Sequence, residues 1–171
     1  MTGIAFDEGV ETILVGREPL TPSAVRAVAR KGCAVRLSED AQVAISRARG
    51  QVEAIASSEA VVYGISTGLG ALARTHIPVP QRVQLQRSLL RSHAAGSGPR
   101  VEDEVVRALM LLRLSTLATG HCGVRLETAQ AYADLLNSGL IPVVGEYGSL
   151  GCSGDLAPLA HCALVLTGEG E

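Results

Sequence analysis

Three glycines at a spacing of three, Gly148, Gly151 and Gly154, run straight into Asp155-Leu156-Ala157-Pro158-Leu159-Ala160-His161 near the end of a 171-residue chain. No other stretch restricts the backbone as much. Glycine has no Cβ and tolerates positive φ, so the chain can turn tightly on itself here. Asp155 reads as a helix N-cap, because its carboxylate can accept from the first free N–H groups. Pro158 lies in the first turn, where a missing N–H costs little. Leu156, Leu159, Ala160, Ala163, Leu164 and Leu166 then form an apolar helical stripe. A crowded turn thus delivers Cys152-Ser153-Gly154 to the positive end of a helix.

Such a turn has three chemical uses. Its N–H groups can hold an anion. It can present Ser153 or Cys152 as a nucleophile. Or the backbone can react with itself: Gly154 nitrogen attacks the Cys152 carbonyl, a five-membered ring closes, and loss of water, the Ser153 hydroxyl included, leaves an exocyclic alkene. That third route needs glycine at the attacking nitrogen, where a Cβ would crowd the turn, and serine in the middle, where a hydroxyl must leave. The first residue contributes only its carbonyl, so cysteine is permitted. The plain alternative is an ordinary glycine-rich helix entry.

The stretch resembles the signature of the histidine, phenylalanine and tyrosine ammonia-lyases, in which Ala-Ser-Gly cyclises to 4-methylideneimidazol-5-one (MIO) and Asp-Leu-Ala-Pro-Leu follows. Ser153, Gly154 and Asp155 to Leu159 match; Cys152 stands in place of Ala. The resemblance implies that Cys152-Ser153-Gly154 makes the MIO itself, with a Cys152–Gly154 imidazolinone cross-link and Ser153 converted to didehydroalanine, and that no external cofactor is used. By the same resemblance these three residues are catalytic.

The segment after Val61 and Val62 admits more readings. Gly64-Ile65-Ser66-Thr67-Gly68 fits the Gly-x-Ser-x-Gly elbow of serine hydrolases, and Gly68-Leu69-Gly70-Ala71-Leu72-Ala73 fits a dinucleotide loop. Both motifs demand a helix at once, and Pro78 and Pro80 leave little room for one. The dinucleotide pattern also lacks an acidic residue about twenty positions on. The segment resembles the lyases' Tyr-Gly-Val-Asn-Thr-Gly-Phe-Gly, with Tyr63, Gly64, Thr67, Gly68 and Gly70 matching and Ser66 and Leu69 departing. That implies Tyr63 as the base, against the plain reading of a buried, hydrogen-bonded tyrosine, and Gly70 at the substrate. Ser92-His93 before Ala94-Ala95-Gly96 has the plain reading of a histidine favoured by a helix C-terminus. It resembles the lyases' substrate-selectivity segment, where a Ser-His pair is typical of histidine ammonia-lyases, and so Ser92 and His93 are implied as substrate-binding. His121-Cys122 and His161-Cys162 match no zinc spacing, and packing is the better reading for the second pair.

Composition limits the rest. Net charge is −2, which gives no reason to expect nucleic acid or an anionic membrane. Lys31 is the only lysine, and Cys33, Cys122, Cys152 and Cys162 show no Cys-x-x-Cys spacing. The apolar run from Leu109 to Leu117 is broken by Arg113 and too short for a bilayer. No signal pattern opens the chain, so a cytoplasmic protein is the expectation.

In order, Ile13 to Val15 follows a loose start and reads as a strand. Thr21-Pro22 opens a helix that Gly32 closes, and Cys33 to Leu37 reads as a second strand. Ser38 caps a helix to about Ser57 with Ile45, Val52 and Ile55 on its apolar side. A helix then carries Leu85, Leu89, Leu90 and His93, and Gly96-Ser97-Gly98-Pro99 reads as a break. Val101 to Thr119 is the strongest helix, with Val105, Leu109, Leu112 and Leu117 inward. Gly120 to Gly123 turns, Val124 to Asn137 is helical up to Gly139, and Ile141 to Val144 is extended. The expected class is mainly α, with minor short strands in the first third. The resemblance implies that these lead into the long helices of the ammonia-lyase, fumarase/aspartase-like bundle, with residues 1–171 a single N-terminal portion of that larger fold.

The resemblance covers about Ile13 to Glu171. It implies conversion of L-histidine to trans-urocanate and ammonia by a protein that is a homotetramer when full length, or that takes a separate C-terminal chain. The 171-residue chain alone is expected to be inactive. The competing readings are a phenylalanine or tyrosine lyase or aminomutase of the same family, a serine hydrolase at Ser66, and a non-enzymatic paralogue.

Overall fold

Local signals set most of the elements. The computed structural model describes residues 12–150 and 154–171, so the loose start and Gly151, Cys152 and Ser153 lie outside the described residues. Strand β1 (Ile13–Val15) leads to α1 (Pro22–Lys31), whose N-cap Thr21 hydroxyl accepts the Ala24 N–H and whose end is Gly32 at φ 69°. β2 (Val35–Leu37) pairs in parallel with β1. α2 (Glu39–Ala56) is capped by the Ser38 hydroxyl, and α3 (Val79–His93) follows a long loop. β3 (Ser97–Arg100), α4 (Asp103–Ala118), α5 (Leu126–Asn137), β4 (Gly145–Tyr147) and α6 (Leu156–Leu166) complete the chain. The mainly helical class holds.

The core is where α4 meets α1, α2 and α5, floored by β1 and β2. Val15, Val28, Leu37, Ile45, Met110, Leu111, Leu114 and Leu136 are fully buried there. Partly buried polar groups close the joints. Arg107 donates to the carbonyls of Val28 and Leu136, at the ends of α1 and α5. The Asn137 amide accepts from Val35 N–H at 2.8 Å and donates to Val35 C=O at 2.9 Å, so a side chain pairs the outer edge of β2 as a third strand would.

Three sequence expectations need correction. The break at Gly96 to Pro99 is instead β3, antiparallel to β4 with an irregular register. Gly98 at φ 84° lets it form, because the Tyr147 ring occupies the space a Cβ would take. On α4, Val105 and Leu112 are about half exposed, while Val106, Met110, Leu111 and Leu114 face inward. The helix is apolar around most of its girth, so its neighbours, not its period, choose the buried side. On α6 the buried residues are Pro158, Ala160 and Cys162, and Leu156 is exposed, for the same reason.

Candidate active site

Tyr63 opens a loop folded on itself. The Val62 carbonyl accepts from the N–H groups of Ile65, Ser66 and Thr67. Gly64 turns at φ 70°. Thr67 bridges to His76, and Ile77 N–H donates to Ser66 C=O. Within this frame Tyr63 is 60% exposed, so it is not the buried tyrosine of the plain reading. Its Oη accepts the Gly70 N–H at 3.3 Å, which brings two sequence-predicted residues together. Ser66 is the reverse case. It is wholly buried, its Oγ donates to Ala60 C=O at 2.6 Å and accepts Val62 N–H at 2.8 Å, and a single 3₁₀ turn at Gly70–Leu72 follows it. An elbow presents its serine on a strand–turn–helix; this serine is a fastening, and the hydrolase reading falls.

His93 is the last residue of α3. Its Nδ1 lies 2.8 Å from Leu89 C=O, which requires the proton on Nδ1 and leaves Nε2 as an acceptor in the neutral ring. The Ser92 hydroxyl also donates to the Leu89 carbonyl and sits 3.1 Å from the same Nδ1, so Ser92 orients the ring. Just before this pair, Arg91 forms a two-pronged pair with Glu169 beyond α6, and this guanidinium holds the Glu169 carboxyl below the usual carboxylate range.

The chain after His93 returns as β3 beside β4, and β4 runs into the glycine-rich turn. A Cβ on Gly148 would stand 3.1 Å from Ala157 Cβ and 3.2 Å from Gly96 Cα. The start of α6 and the segment behind His93 therefore press on the same glycine. The hydrogen bonds of the Tyr63 loop, by contrast, run within the loop and to the start of α3, where Arg82 donates to Ile77 C=O and Ala56 C=O.

Cys152 and Ser153 lie outside the described residues; Gly154 and the turn's two ends are described. Gly154 has φ 91°, a conformation that other residues rarely adopt, and among the described residues no atom beyond its chain neighbours lies within 4 Å of the Cβ it lacks. The backbone angle by itself favours glycine there. Asp155 occupies the N-cap position without bonding the helix N–H groups. Its carboxylate instead accepts from the Ser149 hydroxyl at 2.5 Å, which ties the two ends of the loop that carries the tripeptide.

Sequence reading missed Ser149, the Arg91–Glu169 pair and the role of His161, whose Nε2 accepts the Gly96 N–H at 3.0 Å. It placed Cys162 correctly as packing. The Cys162 thiol is fully buried beside Tyr132, and burial pushes it up to about 11. The Tyr132 hydroxyl has no hydrogen-bond partner among the described residues, the thiol falling outside bonding geometry, and burial raises it too.

Comparison with known proteins fits this arrangement. A family model described as aromatic amino acid lyase matches residues 20–171. Histidine ammonia-lyase of Streptomyces avermitilis is 60% identical over 95% of this chain and 32% of its own length. Its counterpart in Streptomyces griseus is 61% identical with the same coverage, so the chain spans about a third of the length of the curated relatives it matches. Among solved structures, ergothionase from Treponema denticola superposes with a TM-score of 0.86 at 33% identity, covering 90% of this chain and 31% of that one. Histidine ammonia-lyase from Trypanosoma cruzi does so at 0.81 and 37%, covering 90% and 29%. A family match over nearly the whole chain, on a fold and a glycine-rich turn of the kind just described, means that this chain belongs to the aromatic amino acid lyases.

Proposed function

We propose that the chain is the N-terminal portion of a histidine ammonia-lyase, which eliminates ammonia from L-histidine to give trans-urocanate. The observation that carries the substrate assignment is His93. Its Nδ1 is committed to Leu89 C=O, so Nε2 is left to accept an N–H from a substrate imidazole. A phenyl or phenol side chain offers no ring N–H to that nitrogen. The MIO that Cys152, Ser153 and Gly154 would form supplies an electrophilic alkene that draws electrons from the substrate amine. Tyr63 takes the weakly acidic β-proton, and the Gly70 N–H holds the phenol oxygen in place. The clamp between Ser149 and Asp155 keeps the tripeptide at the start of α6. Assembled with the remaining two thirds of the relatives' length, the enzyme works as a cytoplasmic homotetramer; the exposed apolar helix faces support assembly.

The test is competition between histidine, phenylalanine and tyrosine on a complete lyase carrying this segment, with His93 and with His93→Phe. The parent should prefer histidine, and His93→Phe should cost that preference about 5- to 150-fold, the worth of leaving one buried polar group unpaired. A parent that prefers phenylalanine or tyrosine, or a His93→Phe enzyme that keeps its preference, would overturn the substrate. An intact mass that is not two waters below the sequence mass would overturn the ring.

A further inference from the structure

α6 and the segment leaving His93 meet where there is no room for side chains. A Cβ on Gly96 would come 3.0 Å from His161 Nε2 and 3.7 Å from Gly145 N, and one on Gly145 would strike the Ser97 backbone. His161 reaches into this joint from the second turn of α6, and its Nε2 accepts the Gly96 N–H at 3.0 Å. An N–H donor at that nitrogen fixes the ring as the neutral tautomer with its proton on Nδ1. Gly96 stands three residues beyond His93, and the Ala95 N–H donates to His93 C=O at 2.8 Å between them. A shift of Gly96 is therefore passed to His93 through a short, tightly turned piece of chain. The same α6 has Asp155 as its N-cap, directly after the tripeptide in sequence.

We propose that His161 is a positioning residue: its bond to Gly96 sets where His93 stands relative to α6, and so sets the preference for an imidazole side chain. This rests on the reading of the chain as part of a histidine ammonia-lyase. His161 touches neither substrate nor reacting atoms. It acts through the Gly96 turn, and the glycines at 96, 145 and 148 let three backbones come close enough for one hydrogen bond to control the spacing.

The test uses a complete lyase carrying this segment, as parent, His161→Leu and His161→Gln, with two independent readouts. Amide exchange at Gly96 should be slow in the parent and at least about tenfold faster in His161→Leu, which has no acceptor. In the same variant KM for histidine should rise and kcat/KM fall about 10- to 100-fold, the scale of a displacement near one ångström. Its discrimination against phenylalanine should shrink while the near-ultraviolet absorbance of the ring remains. His161→Gln, with an amide oxygen at similar reach, should restore slow exchange and most of the specificity. If His161→Leu does not fold, His161→Asn, polar but too short to reach Gly96, takes its place with the same expectations. Fast Gly96 exchange in the parent, or unchanged KM and discrimination in the variant without an acceptor, would overturn the proposal. A parent that ignores histidine while Gly96 is protected would overturn the substrate reading instead.

Discussion

Tyr63 and Ser66 are three residues apart, and their letters point in opposite directions from what the fold does with them. Ser66 carries the more familiar motif, yet it is sealed and doubly hydrogen-bonded to its own loop. Gly-x-Ser-x-Gly has meaning only on a strand–turn–helix, and the five letters do not encode the helix that the motif needs after them. Tyr63, marked only by the lyase-like segment it opens, is exposed. Tyr63→Phe in a complete lyase should keep the ring's near-ultraviolet absorbance and lose about 100- to 10,000-fold in turnover, the usual worth of a general base. Steady-state rates beside absorbance check this, and a loss below tenfold would put the base elsewhere. Gly154 was legible as a glycine position, and its φ of 91° is one that other residues rarely adopt. A glycine that crowding does require is Gly145, where a Cβ would strike the backbone of Ser97, far away in the chain and without a local trace.

Elements were legible where a side chain caps them locally. Thr21 and Ser38 start α1 and α2 by accepting N–H groups three residues on, and Gly32 ends α1, all within reach of a short window. β3 was not legible, because its partner β4 lies some forty-five residues on and Gly-Pro punctuation reads as a break. The buried sides of α4 and α6 were read correctly only at Leu117 and Ala160, because both helices are apolar nearly all round. Where α5 meets α6, Cys162 gives a pH signature. The thiol is raised from 9.0 to about 11 by burial. Below pH 9 it is neutral whether folded or not and affects nothing. Between the two values the unfolded chain ionises it and the folded chain does not, so stability falls as pH rises, by about 2–3 kcal/mol across the window. Tyr132, raised by burial and then by the Cys162 charge beside it, extends the loss to higher pH. Urea midpoints at pH 8 and 10.5 should drop for the parent and drop less for Cys162→Ala; equal drops would count against the argument.

Across the molecule, burial is uneven. α3, which carries His93, has no buried residue, and Val79 and Val83 on it are each 64% exposed. Val105 and Leu112 line an open groove of about 590 Å³ between α1 and α4. Exposed apolar helix faces mark association, and the chain is a third of its relatives' length. The 171-residue chain alone should therefore not deaminate histidine, and sedimentation should find it associating with itself or with a supplied remainder. Turnover by a purified monomer would contradict this. One small feature bears on the form that association takes. β1 and β2 make a sheet too narrow to stand alone, and an unpaired strand edge is a template for stacking chains into fibrils. Here the Val35 amide and carbonyl are already spent on Asn137. Asn137→Leu should cost about 1–3 kcal/mol and, on incubation, should yield thioflavin-binding aggregates that the parent does not form. With Asn137 in place, sticky helices are free to find partners while the β2 edge, which could seed a cross-β deposit, is shut, so the chain can expose oily surface and still err toward soluble complexes rather than fibres.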